Sequence, residues 1–167
     1  GNTDVMDGGA DADVLQLSTG AHAFADDAKL KNIETIKTAS GGSEVDLSAQ
    51  TEALTITGDA GNDIITGGKG IDIINAGDGT DSINAGAGDD IITGGAGDDT
   101  IDGGSGNDIA IFSGDQADYS LTEISYARYQ IIDNRGIEGT DTIINTETIR
   151  FADGDIDITP AGLEVNG

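Results

Sequence analysis

Cysteine is absent from this chain and histidine occurs once, at His22, so neither a disulfide framework nor a zinc site can be built from it. Basic residues are scarce: seven Lys and Arg against 32 Asp and Glu leave a formal charge of -25. That balance excludes electrostatic attachment to nucleic acid or to anionic lipid. No apolar run is long enough to span a bilayer and no N-terminal secretion signal pattern is present, so membrane insertion is not expected. The sequence holds no G-x-S-x-G elbow, no H-E-x-x-H helix and no nucleophile paired with a base, which argues against independent catalysis. Aromatic residues make up only 4%, beside 27 glycines, a composition that ordinarily marks disorder.

What is present is a repeat. Six nine-residue units run from Gly58 to Ile111: GDAGNDIIT, GGKGIDIIN, AGDGTDSIN, AGAGDDIIT, GGAGDDTID and GGSGNDIAI. They follow the pattern G-G-x-G-x-D-x-U-x of parallel β-helices that bind calcium. Glycines at the first, second and fourth places allow positive φ without a Cβ penalty and predict a tight turn. Places seven to nine are strand-like, with Ile65, Ile74, Ile83, Ile92 and Ile101 at the eighth place and Ala110 in the last unit, so one side chain per unit points inward. If two units make one coil, residues eighteen apart stack at roughly 4.8 Å. Asp63, Asp81 and Asp99 then line one edge, and Asp72, Asp90 and Asp108 the other.

Two carboxylates at that spacing repel by roughly 0.9 kcal/mol in bulk water and by several times more near a low-dielectric surface. A dication removes the repulsion. Carboxylates and turn carbonyls together offer a flexible, all-oxygen cage suited to calcium, whereas magnesium demands a stricter octahedral shell. Disorder is therefore the expectation for the calcium-free chain alone.

The flanks divide the rest. Residues 1–17 contain GGADADVLQ from Gly8, the same unit with Asp11 in the fourth place and Asp13 in the sixth, and Asp4 lies nine residues earlier in register. This reads as the end of an upstream roll, and a start inside a motif suggests an excised fragment. Residues 18–33 connect, and Ser18 to Leu30 is compatible with a loop or a helical turn. From 34 to 57, ETIKTA, EVDLSA and ALTITG alternate apolar and polar residues and predict solenoid coils without metal; an independent antiparallel sheet is the alternative. Residues 58–111 are the calcium-binding roll. After Ile111 the register fails, and 112–167 is expected to be a β cap, with YSLTEI and RYQIID as a hairpin and with all three tyrosines. KNIETIK and INTETIR share N-x-E-T-I plus a basic residue, a candidate strand for opening or closing a roll.

Other features carry weaker expectations. Ile73, Ile91, Ile109 and Ile111 form an apolar outer face that should be covered by the hairpin or the Ser18 to Leu30 segment, with self-association as the alternative. Asp115 and Asp118 are out of register for a calcium role. Asp153, Asp155, Asp157, Thr159, Ala161 and Glu164 have EF-hand spacing, but Ile158 replaces the glycine and Pro160 follows, so a strand end is preferred. His22 reads as a surface or loop residue without a partner.

The six units resemble the RTX, or repeats-in-toxin, family of Gram-negative secreted proteins, strongly over Gly58 to Ile111 and moderately over Gly8 to Gln16. The stretches before and after the roll are similar to segments flanking such repeats in adhesins, surface-layer proteins and large exoproteins. The resemblance implies an all-β, right-handed parallel β-roll, exported by type I secretion and folding on calcium outside the cell or at its surface. It implies Asp63, Asp72, Asp81, Asp90, Asp99 and Asp108 as ligands, with Asp13 and Asp4 in the upstream roll. Gly61, Gly70, Gly79, Gly88, Gly97 and Gly106 would keep the turns tight and supply carbonyls, and about four to six calcium ions would fill the main roll. Partners implied are calcium and the remainder of a larger parent polypeptide, with a carbohydrate or cell surface as a further candidate. An accessory module of a secreted polysaccharide-modifying or hydrolytic enzyme is the alternative. Asp59, Ala76 and Ala85 depart from the glycine pattern, and the alanines require φ to stay negative.

Overall fold

The alternation of tight turn and three-residue strand folds into two parallel sheets facing each other across a narrow apolar core. The structure, a computed structural model, describes residues 6–24, 30–159 and 162–166. Among the described residues one sheet has eight strands and the other nine, with Met6–Asp7 and Leu30–Lys31 as a separate two-stranded pair, and from Thr35–Lys37 to Ile109–Ile111 the chain passes from one large sheet to the other at each turn. In the eight-stranded sheet, Gly20–Ala23, Ser43–Asp46, Ile64–Thr66, Ser82–Asn84, Thr100–Asp102 and Thr140–Ile144 pair in parallel. In the nine-stranded sheet the parallel series is Val14–Gln16, Thr35–Lys37, Thr55–Thr57, Ile73–Asp78, Ile91–Ala96, Ile109–Ile111 and Thr148–Phe151. This is the parallel β-roll expected from the repeat.

Register follows the nonapeptide. Ser82 lies between Ile64 and Thr100, and Ile91 between Ile73 and Ile109. Eighth-place residues therefore stack into two inward columns: Ile65, Ile83, Ile101 and Ile143 in one sheet, Ile74, Ile92, Ala110 and Ile149 in the other, none more than 2% exposed. Val45 extends the first column, and Ile36 and Ile56 the second. The segment 34–57 thus forms parallel coils stacked on the roll, and the alternative of a separate antiparallel sheet does not occur.

The parallel coils do not stop at Ile111. Residues 112–139 are an excursion, after which Thr140–Ile144 and Thr148–Phe151 resume both sheets in parallel. Within the excursion, Tyr119–Ser125 and Arg128–Asp133 form the expected hairpin, turning at Tyr126 and Ala127, the latter at φ 51°. The hairpin joins the edge of Thr140–Ile144 in antiparallel fashion, while Gly154–Thr159 and Gly162–Asn166 do the same beyond Thr148–Phe151. Antiparallel strands at that end occupy the edges on which another parallel coil would stack. Phe112, Tyr119 and Phe151 close the core there, with ring centroids 5.0–5.8 Å apart.

Several expectations change. The hairpin extends the eight-stranded sheet instead of crossing the isoleucine face, because its backbone edges find partners in Thr140–Ile144. Gly20–Ala23 likewise pairs within a sheet, and residues 25–29 lie outside the described residues. Ile73 remains 50% exposed and Ile91, Ile109 and Ile111 are partly exposed, so the predicted cover is absent among the described residues. His22 sits on a strand, half-buried, with Nε2 2.8 Å from the Ser18 carbonyl oxygen. Among the described residues no helix is long and apolar enough to cross a membrane.

Candidate metal centre

Each sixth-place aspartate enters the core edge immediately before a strand, and the turn ahead of it fixes its direction. The carboxylates form two ladders. On one edge, Oδ1 of Asp63 accepts the Ser43 N–H at 2.6 Å, Asp81 the Asp63 N–H at 2.7 Å, and Asp99 the Asp81 N–H at 2.8 Å. On the other, Asp72 accepts the Leu54 N–H at 2.8 Å, Asp90 the Asp72 N–H at 2.7 Å, and Asp108 the Asp90 N–H at 2.8 Å. The predicted pairing of residues one coil apart is thus present, but as carboxylate to backbone N–H.

The second oxygen of each group is the informative one. All six aspartates are at most 2% exposed, and Oδ2 of Asp81, Asp90, Asp99 and Asp108 is buried with no hydrogen-bond partner. Asp13 Oδ2 is in the same state. In the first units the atom is engaged: Asp72 Oδ2 accepts the Gly68 N–H at 2.9 Å, and Thr38 Oγ1 donates to Asp63 Oδ2 at 3.4 Å. A buried carboxylate lacking a partner costs several kcal/mol unless it is neutralised by a proton or a cation. Burial first, then neighbouring carboxylates, pushes Asp90, Asp99 and Asp108 up to about 6.

Carbonyls complete the donor set. A Cβ on Gly79, Gly88, Gly97 or Gly106 would overlap the carbonyl oxygen of Gly61, Gly70, Gly79 or Gly88 respectively, so fourth-place carbonyls of successive coils stack along each edge. Gly97 shows why the residue type is required: φ is 127° and no Cβ fits. Ala76 and Ala85 keep φ out of the left-handed region and are fully buried, as their presence at the first place demanded. Among the described residues no three acidic or imidazole side chains converge into a ready cluster. The arrangement instead offers carboxylates singly from successive turns together with stacked carbonyls, a donor chemistry that fits calcium better than magnesium or zinc. Asp4 lies outside the described residues.

Sequence reasoning missed three acids that occupy ladder positions. Asp141 Oδ1 accepts the Asp99 N–H at 2.9 Å, Glu147 Oε2 the Asp108 N–H at 2.8 Å, and Glu34 Oε2 the Asp13 N–H at 2.7 Å. The signal for two of them was the N-x-E-T-I echo. Asn32 and Asn145 both take positive φ, 51° and 47°, in the place of the fourth glycine, and the glutamate follows two residues later. In each case the first three turn places are missing, since Lys31 and Ile144 end their strands directly before the asparagine. Glutamate, longer by one methylene, still reaches the N–H of the preceding coil. Gly8 and Gly103 donate to the carbonyls of Lys31 and Ile144 at 3.0 Å, so the two closures match in backbone detail.

The remaining acids serve elsewhere. Asp133 is held well below the ordinary carboxylate range, first by Arg135, whose Nε lies 2.9 Å from Oδ1, and also by the Glu138 N–H. Arg135 also reaches Tyr119 Oη at 2.6 Å and Glu138 at 3.5 Å, and Tyr119 Oη donates to Glu138. Asp118 faces Arg135 at 3.7 Å. Asp155 pairs with Arg150 at 3.0 Å and Asp157 accepts from Thr148 at 3.3 Å on the strand Gly154–Thr159, while Asp153 lies in the turn before it and Glu164 on the following strand, so the EF-hand-spaced acids form no loop.

A family profile described as RTX calcium-binding nonapeptide repeat (4 copies) matches residues 1–21, 55–74 and 75–110. No curated protein matches the sequence. Among solved structures, the extracellular lipase LipA from Serratia marcescens is similar in fold, with a TM-score of 0.53 at 19% identity. The likeness covers 82% of this chain and 22% of the lipase, so the chain spans about a fifth of that protein.

Proposed function

We propose, from the premise that this chain carries RTX calcium-binding nonapeptide repeats folded as a parallel β-roll, that it is a module whose folding is switched on by calcium outside the cell. The observation that carries this reading is the row of buried Oδ2 atoms without partners at Asp81, Asp90, Asp99 and Asp108. Asp63, Asp72, Asp81, Asp90, Asp99 and Asp108 supply the carboxylates, Asp13 does so in the upstream unit, and the fourth-place glycines supply carbonyls. About four to six ions occupy the main roll. Each site that binds only the folded chain adds about 1.4 kcal/mol when calcium is at ten times its dissociation constant. Four such sites reach the lower end of the total stability of an ordinary domain, about 5–15 kcal/mol. Low cytosolic calcium then keeps the chain unfolded for type I export, and the roll serves as a structural or secretion-coupled element of a larger secreted or surface protein, of adhesin or surface-layer type.

The test is far-UV circular dichroism during calcium titration of chelated protein, with magnesium as control. A cooperative gain of β-structure with calcium alone is expected. Full β-structure in chelator would defeat the switch. A second reading, an accessory module of a secreted hydrolytic or polysaccharide-modifying enzyme, draws on the likeness to the extracellular lipase. In its substrate-holding form it requires the calcium-loaded chain to be retained on a polysaccharide matrix, and passage without delay would remove it.

A further inference from the structure

A further repeat unit straddles the end of the excursion 112–139. Read from Gly136, the residues GIEGTDTII carry glycine at the first and fourth places, aspartate at the sixth and isoleucine at the eighth, with Ile137 replacing the second glycine. The family profile stops at residue 110 and the run of consecutive units at Ile111.

From its third place onward this segment repeats the geometry of the units before it. Gly97 donates to the Glu138 carbonyl at 3.3 Å, as Gly79 does to that of Ala96 at 2.7 Å. Thr140 donates to Asp98 Oδ1 at 2.8 Å, as Asn107 does to Asp89 Oδ1 at 2.9 Å one edge away. Gly139 has φ 83°, and a Cβ there would overlap the Gly97 carbonyl oxygen, so the stack of fourth-place carbonyls continues through it. Asp141 is 2% exposed and accepts the Asp99 N–H. On the facing turn, Asp99 is equally buried and its Oδ2 has no partner.

We propose that a calcium-sized divalent cation binds between the turns 96–99 and 138–141, with Asp141 and Asp99 as its carboxylates and turn carbonyls as its other oxygens. The inference rests on the calcium reading of the roll. This site differs from the others in joining segments on either side of the excursion. Glu138, at the third place of the same turn, sends its backbone carbonyl to the roll, while its side chain accepts hydrogen bonds from the Ser113 N–H at 3.0 Å and from Tyr119 Oη. Ion binding at this turn therefore fixes the excursion to the roll as well as adding a site.

The test is the number of calcium ions retained per chain, by native mass spectrometry at saturating calcium, in the unmodified protein, Asp141→Asn and Asp118→Asn. Asparagine keeps an oxygen for the Asp99 N–H and removes the charge. One ion fewer is expected in Asp141→Asn, with the full count in Asp118→Asn, whose carboxylate faces Arg135 outside the ladder. An unchanged count in Asp141→Asn overturns this site while leaving the calcium roll intact, whereas no retained calcium in the unmodified chain overturns the roll reading itself. Should Asp141→Asn not fold, anomalous diffraction from calcium-grown crystals of the unmodified protein decides: a peak between the two turns supports the site, and peaks at other turn pairs without one there refute it.

Discussion

The roll and the end that closes it solve the same electrostatic problem in opposite ways. Along the roll, buried aspartates accept one another's backbone N–H groups through Oδ1 and leave Oδ2 of Asp81, Asp90, Asp99 and Asp108 without a partner from within the chain. At the closing end, Asp133 is as deeply buried, yet Arg135 and the 135, 137 and 138 N–H groups satisfy it from within the chain. With seven basic residues in the chain, internal pairing among the described residues serves the Arg135 cluster and the Arg150–Asp155 pair and not the two ladders. On the calcium reading proposed above, stability of the roll is tied to an external ion, whereas Arg135 serves the closing cluster from within the chain.

Chelation should break the comparison most visibly. Hydrogen exchange in chelator is expected to remove protection from the amides of Asp63, Asp72, Asp81, Asp90 and Asp99 by a hundredfold or more, and from the hairpin Tyr119–Asp133 by much less. Equal loss in both would mean one cooperative unit. Next in size are changes inside the calcium-loaded roll. Ile92→Ala, at a fully buried eighth place, should cost about 2–5 kcal/mol in urea unfolding. Gly97→Ala should cost about 1–3 kcal/mol or more, because it combines φ 127° with a carbonyl in the way of the new Cβ.

Acidity sharpens the contrast with opposite signs. Without calcium, Asp90, Asp99 and Asp108 titrate at about 6 in the folded chain and Asp141 at about 8, all above their ordinary 3.8. Burial is the main cause in each, and the stability these groups contribute is present below about pH 4 and lost as pH rises through 6 and 8. Lowering pH from 8 to 5 in chelator should therefore raise β-structure. In calcium the same change should weaken the roll, since protons and ions compete for the carboxylates. Asp133, held low by Arg135, contributes above about pH 4 and loses that contribution as pH falls further, so the hairpin should loosen in strong acid. The smallest effect is expected on the outer isoleucine face: Ile73→Ser, at a half-exposed seventh place, should shift stability within about 0.5 kcal/mol.

The ladder aspartates were legible because a nonapeptide repeats its chemistry at fixed spacing, and two units per coil convert that spacing into stacking. Asp141 was missed because the excursion separates it from Asp99 by 42 residues and its unit, GIEGTDTII, lacks the second glycine and stands out of phase with the contiguous run. Glu34 and Glu147 were visible as an echo without a role. Only the shortened turn, in which asparagine takes positive φ and glutamate spans the gap, reveals them as ladder members. The fate of the isoleucine face was misread for a related reason: hairpin strands with free edges gain more by joining a sheet than by covering one.

By itself the sequence determined the coil, its inward columns of isoleucines and the two acidic edges, because each of these follows from local periodicity. Where the roll ends was decided by tertiary structure alone. Whether Thr140–Ile144 resumes a parallel sheet depends on partners far away in the chain, and the pairing of an edge strand is a property of the assembled sheet and not of the strand.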